Sequence, residues 1–134
     1  MSADSVLRLQ HYVVKNITFK INDSFKPSGK EIKIHPEFQR SIGKIDENTA
    51  AIDLMFRVKS SSSVPFSISI CIEGVFELNG WDCDELRNLM VTNTTAILFP
   101  YLRSLVAMIT ANANIAPYTL PVMNINELFA RTEA

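Results

Sequence analysis

The sequence predicts an α+β fold, on three observations. Polar and apolar residues alternate over several stretches of the first 80 residues, the period of strands with one covered face. That alternation stops at Gly80. A run at 97–109, "ILFPYLRSLVAMI", then has only Arg103 and Ser104 as polar side chains, and a short apolar-periodic segment closes the chain. Strands first and helices after is the α+β order.

Residues 5–21, "SVLRLQHYVVKNITFKI", form the first predicted strand. Leu7, Leu9, Val13, Ile17, Phe19 and Ile21 share one face, and His11 and Lys15 interrupt it, which points to a bulge or an exposed stretch. Residues 22–36, rich in Pro, Gly, Ser and Lys, are a loop. A weaker strand follows around Phe38–Ile45. Two clear strands come next. Ala50, Ile52, Leu54, Phe56 and Val58 point one way in the first; Phe66, Ile68, Ile70, Ile72, Phe76 and Leu78 do so in the second. The serine run 60–63 joins them as a hairpin.

After Gly80, "DCDE" starts a helix: Asp82 can cap it and Glu85 stands three residues on. This helix runs toward Met90, and "TNTT" interrupts it. Thr94 or Thr95 offers a second cap, and Pro100 falls near the front of the second helix, where a missing N–H costs little. If the helix begins earlier, Pro100 must kink it. In the apolar run, Leu98, Leu102, Leu105 and Ile109 make one stripe, with Tyr101 and Met108 beside it. Phe99 and Val106 lie a heptad apart on another side. One stripe covers the chain's own sheet; the second calls for another partner, because a helix apolar nearly all round is buried all round. Self-association is therefore expected, with Phe99, Tyr101, Leu102 and Val106 at the interface. Residues 112–124 form an apolar loop interrupted by Pro117 and Pro121, and "NINELFARTEA" ends the chain as a short helix.

With 134 residues the chain has room for one domain, spanning 1–134. Thirteen Lys and Arg against 14 Asp and Glu provide no basic excess to hold phosphates, so nucleic acid is not an expected partner. "MSADSV" is no secretory leader, and the longest apolar runs stop short of the ~18–20 residues that span a bilayer. A cytosolic protein without membrane insertion is expected, with Cys71 and Cys83 as reduced structural thiols. The N-x-S/T patterns at Asn16, Asn22 and Asn93 are chance matches in that setting.

Catalytic motifs are lacking. There is no GxSxG, HExxH, Walker loop or GxGxxG, and His11 and His35 have no neighbours at metal-ligand spacing. The expectation is a protein that is not an enzyme and takes no cofactor or metal. What stands out instead is apolar residues in loops and at helix ends, the usual mark of protein contacts.

In that order of elements the chain resembles the SecB protein-export chaperones. "ILFPYLRSLVAMI" is similar to the family's Leu-Phe-Pro-Tyr-Ala-Arg helix opening: Leu98, Phe99, Pro100, Tyr101 and Arg103 match, with Leu102 in place of alanine. "YTLPVMNINELF" resembles the family's Leu-x-Pro-Val-Asn-Phe-x-x-Leu-Phe ending; "GVFELNG" and "KNITF" resemble its Gly-Ile-Phe strand end and Lys-Asp-Ile-Ser-Phe first strand. The resemblance covers about residues 7–130. It implies a four-stranded antiparallel sheet with a crossing first strand, a long helix and a short C-terminal helix. It also implies a homotetramer, a dimer of dimers with the long helices between dimers. It implies ATP-independent holding of unfolded polypeptides in apolar grooves, for which Tyr118, Leu120, Val122, Leu128 and Phe129 are the expected client-binding residues here.

The sequence departs from the family at the face that meets the SecA motor. Asn16, Lys20 and Ser69 stand where the family has acidic residues, and the long acidic C-terminal tail is missing. A SecA partnership therefore does not follow from these residues. Some SecB-like proteins instead guard one antitoxin in a toxin–antitoxin–chaperone module. General export holdase, dedicated antitoxin chaperone and a non-chaperone oligomeric assembly subunit remain the three readings.

Overall fold

The computed structural model describes residues 7–26, 34–59, 61, 64–77 and 84–113, with helix side chains from Val91 onward. Four strands, β1 (Arg8–Ile21), β2 (Glu37–Asp46), β3 (Thr49–Val58) and β4 (Phe66–Glu77), precede one helix, α1 (Asp84–Asn112). The strands form one antiparallel sheet in the order β1-β4-β3-β2. Because β1 and β2 occupy opposite edges, the chain between them crosses the width of the sheet, roughly 14 Å for three strand spacings.

The clear alternation of β3 and β4 produces the core. Ala50, Ile52, Leu54, Phe56 and Val58 are all buried, as are Phe66, Ile68, Ile70, Ile72 and Phe76. Their register places Leu54 opposite Ile72 and Phe56 opposite Ile70, so one face of the central pair is continuous hydrocarbon. α1 lies across that face and buries Leu98, Phe99, Leu102 and Val106.

Gly74 admits the helix. A Cβ on it would lie 2.7 Å from a Leu98 methyl and 2.8 Å from the Phe76 ring, both closer than carbon atoms pack. The absent side chain is what lets Leu98 approach β4 so closely.

Two expectations about the helix are corrected. "TNTT" does not separate two helices: α1 is continuous for 29 residues, with Pro100 in its interior. Thr94 and Thr95 are buried and donate their hydroxyls to the Val91 carbonyl at 3.1 and 2.8 Å, mid-helix bonds instead of caps. Pro100 cannot donate to the carbonyl four residues back, that of Ala96; both residues are exposed, so water can reach the freed acceptor. The second correction concerns the helix faces. Phe99 and Val106 do not form a free side: they join Leu98 and Leu102 in the core, and Phe99 meets Phe38 ring to ring at 6.1 Å. A helix lying flat on a sheet buries a broad stripe, wide enough to take in both the Leu98 and the Phe99 sides.

Continuity also changes the apolar length. Val91–Asn112 is long and apolar enough, by length and composition, to cross a membrane, beyond the run lengths expected from the sequence. Its sheet-facing side is covered by the chain's own strands, which accounts for that side's apolarity.

β1 carries two register shifts, between Leu9 and His11 and between Val14 and Asn16. Each bulge flips the side-chain parity. Leu9, Tyr12, Val14, Ile17, Phe19 and Ile21 therefore lie opposite the helix-facing residues of β4. Val13, expected on that face, lies instead opposite Glu73. The interruption read at His11 and Lys15 is thus a pair of bulges, one on either side of the middle of the strand.

The end of β1 is tied to the β3–β4 connection by Asn22. Its side-chain amide donates to the carbonyls of Ser61 (2.7 Å) and Val64 (2.9 Å), and its backbone N–H donates to that of Pro65 (2.9 Å). Its side-chain oxygen accepts the Ser24 N–H at 3.0 Å. Every polar group of this asparagine side chain is used internally.

Candidate functional site

α1 covers β3 and β4 but not β1. On its β1 flank, Tyr101 packs against Tyr12 with ring centroids 4.4 Å apart and the planes tilted by 33°. Beyond that pair the sheet stays open: Tyr12, Ile17 and Ile21 on β1 are 40–44% exposed, on the same face that is sealed one strand away. Met108, two turns along α1 from Tyr101, is half exposed as well. These side chains line an apolar strip between the helix flank and the outer strand. Its floor is made by the half-buried Val14 and Phe19, the latter against Phe66 at 5.7 Å. A strip of this kind offers hydrocarbon and two phenols to a ligand, and the outer edge of β1, which pairs with no other described strand, lies beside it.

The predicted site residues fall in three places. Tyr118, Leu120, Val122, Leu128 and Phe129 lie outside the described residues. Of the interface set, Phe99, Leu102 and Val106 are buried under the helix, and only Tyr101 is exposed. Asn16, Lys20 and Ser69 come together on the opposite face of the sheet: Asn16 pairs with Cys71, Thr18 with Ser69 and Lys20 with Ser67. Thr18 donates to the Asn16 side-chain oxygen at 3.3 Å.

That opposite face is polar and carries the ion pairs. Lys15, at the second bulge, reaches Asp53 at 3.3 Å and Glu73 at 3.7 Å. The Asp53 hydrogen bond, with the charges of both acids, holds its ammonium pKa above the usual lysine value. Glu37 receives Arg57 at 3.0 Å and Lys59 at 3.4 Å, and the Arg57 hydrogen bond holds its carboxyl below the usual range. Burial, with Asp53 nearby, pushes the Cys71 thiol up, so it stays protonated at neutral pH.

Sequence reasoning missed Tyr12. Its position in "HYVVK" puts it out of phase with Leu7 and Leu9, and only the bulge after Leu9 turns it toward the helix. Ile17 and Ile21 were placed on the correct face, but their exposure depends on where α1 lies.

A four-stranded antiparallel sheet with one long helix laid over its centre is the fold of the SecB-like chaperones. The SecB-like chaperone of Mycobacterium tuberculosis, solved in complex with a ChAD peptide from the HigA1 antitoxin, superposes with a TM-score of 0.70 over 87% of this chain and 90% of that one, at 16% identity. A Streptococcus agalactiae protein of unknown function superposes with a TM-score of 0.56, covering 90% of this chain and 100% of that one, at 17% identity. In sequence, a family model described as "Preprotein translocase subunit SecB" matches residues 2–134. The chain belongs to the SecB family, a family of chaperones and not a class of enzymes. Its relatives include an uncharacterised protein of Methanocaldococcus jannaschii, 31% identical over 95% of this chain and 84% of that protein. A protein-export protein SecB of Nitrosococcus oceani is 27% identical over 93% of this chain and 80% of its own length.

Proposed function

We propose that this SecB-family protein is an ATP-independent cytosolic holdase, which binds extended apolar segments of non-native polypeptides and delays their folding. The observation that carries this is the open strip of Tyr12, Ile17, Ile21 and Tyr101, apolar surface that the fold leaves uncovered beside a sealed core. Tyr118, Leu120, Val122, Leu128 and Phe129 extend the client surface in this reading. Assembly into a tetramer, as the family resemblance implies, would multiply weak strips into one strong binder.

The test is a refolding assay. A slow-folding protein is diluted from denaturant with this protein and without ATP. Arrest of refolding is expected, with relief of the arrest by Tyr12→Ser combined with Ile17→Ser. Unchanged refolding in the presence of wild type removes the general holdase.

A second reading is favoured by one finding. The M. tuberculosis SecB-like chaperone was solved with an antitoxin peptide; the departures at Asn16, Lys20 and Ser69 that the family resemblance implies fit the same reading. A dedicated antitoxin chaperone would fail to arrest a general client and yet bind one antitoxin segment tightly. A non-chaperone assembly subunit would form the tetramer and bind neither.

A further inference from the structure

The sheet face turned away from α1 is electrically divided along its strands. Toward the Ile21 end of β1, the row Thr18, Ser69, Arg57 and Glu37 crosses all four strands. Lys20 lies one step farther out opposite Ser67, and Lys59 is on the same side, as its ion pair with Glu37 shows. Three cations here face one carboxylate. Toward the Arg8 end, Asp46, Asp53, Glu73 and Glu77 face, among the cations of the described strands, only Arg8 and Lys15.

The basic end retains binding capacity. Arg57 and Lys59 share the single Glu37 carboxylate, and Arg57 engages it through Nη2, leaving other guanidinium donors available. Lys20 is exposed and makes no ion pair among the described residues. Between Arg57, Glu37, Gln39, Met55 and Ser69 the surface dips into a shallow depression. It joins an amide, a hydroxyl and a thioether to a cationic rim, which suits a peptide better than a bare ion.

We propose that this basic end docks an acidic, extended polypeptide segment of a partner protein, its carboxylates meeting Lys20, Arg57 and Lys59. The occupant follows from the charge and its extent. The cations run from β1 to β3, three strands with two spacings between them or about 10 Å, and hold a few carboxylates. A long polyanion would run from it onto the acidic half of the same face and be repelled, so a nucleic acid does not fit. The site lies on the opposite side of the sheet from the apolar strip and is independent of client holding.

The test uses fluorescence anisotropy with the whole protein. One probe is a labelled eight-residue peptide of alternating Asp or Glu with Ser or Leu; the other is its twin with Asn and Gln. The acidic probe should bind at low salt, weaken as salt is added, and bind about fivefold to tenfold tighter than the amide twin, the combined worth of several exposed charge pairs. Lys20→Glu with Lys59→Glu should abolish that preference and leave circular dichroism and refolding arrest unchanged. Glu77→Gln at the acidic end should leave it intact. Equal binding of the two probes overturns the proposal, as does a preference that survives Lys20→Glu with Lys59→Glu or is lost in Tyr12→Ser. If the acidic probe is ignored and those charge reversals lower the assembled mass instead, the face meets a second copy and the proposal is likewise overturned.

Discussion

β1 and β4 run side by side from Arg8 opposite Glu77 to Ile21 opposite Phe66, yet the two strands differ in what covers them. On β4 every second residue from Phe66 to Phe76 is buried, including Gly74, whose missing side chain makes room for Leu98. On β1 the residues of the same face are half covered or open. Both strands are apolar enough for a core. The difference lies in the helix, which centres on β3 and β4, and in the two bulges, which bend β1 and rotate its side chains. One sheet face therefore holds a sealed half that stabilises the chain and an open half left free for contacts.

The sharpest way to break this contrast is to truncate equivalent hydrocarbon in each half. Leu102→Ala, under the helix, should cost about 2–5 kcal/mol in chemical denaturation, for lost transfer energy and a cavity that cannot close. Ile17→Ala, on the open strip, should cost less than about 1 kcal/mol, because its side chain is already half in water. Equal costs would mean that β1 is covered after all.

Gly74→Ala tests how the seal is made. The added methyl must displace Leu98 or the Phe76 ring, both fully buried, and overpacking of this kind costs about 1–3 kcal/mol. A lower denaturation midpoint with an unchanged slope marks strain within an intact fold.

Tyr101→Ala examines the seam between the halves. It removes an aromatic pair worth about 0.5–1.5 kcal/mol, and its larger effect should be on refolding arrest or on the assembled mass seen by light scattering.

The smallest effect is electrostatic. Glu37 is held below its ordinary pKa of 4.5 by the Arg57 hydrogen bond, so its contribution is complete above that value and is lost as pH falls through the lowered one. Wild type should keep a slight advantage over Glu37→Gln at neutral pH and lose it only in acid, as followed by denaturation midpoints across pH. An advantage that disappears above the ordinary glutamate pKa would place the titration on another group.

Much of the fold was legible in the residues. The alternation of β3 and β4 named eleven core positions; Leu78 lies outside the described residues, and the other ten, among them Phe56 and Ile70, are buried, because a covered strand face leaves a period of two that nothing else imitates. The helix was harder. Thr94 and Thr95 look like caps in sequence, since a hydroxyl that can cap a helix can also bond back within one, and only the tertiary contact of Thr95 with Arg40 at 3.0 Å shows why it is buried mid-helix. The candidate site was the least legible part. Tyr12 reaches it through a bulge, and Tyr101 was named for an interface without its partner on β1.

The sequence by itself determined the strand and helix order, the covered face of the central strands and the family, since each is written in local spacing and residue type. The tertiary structure alone decided which apolar side chains are sealed and which stay open. Exposure is a property of what lies opposite: Phe99 and Tyr101 are two residues apart on one helix, and the sheet covers the first and leaves the second at its margin.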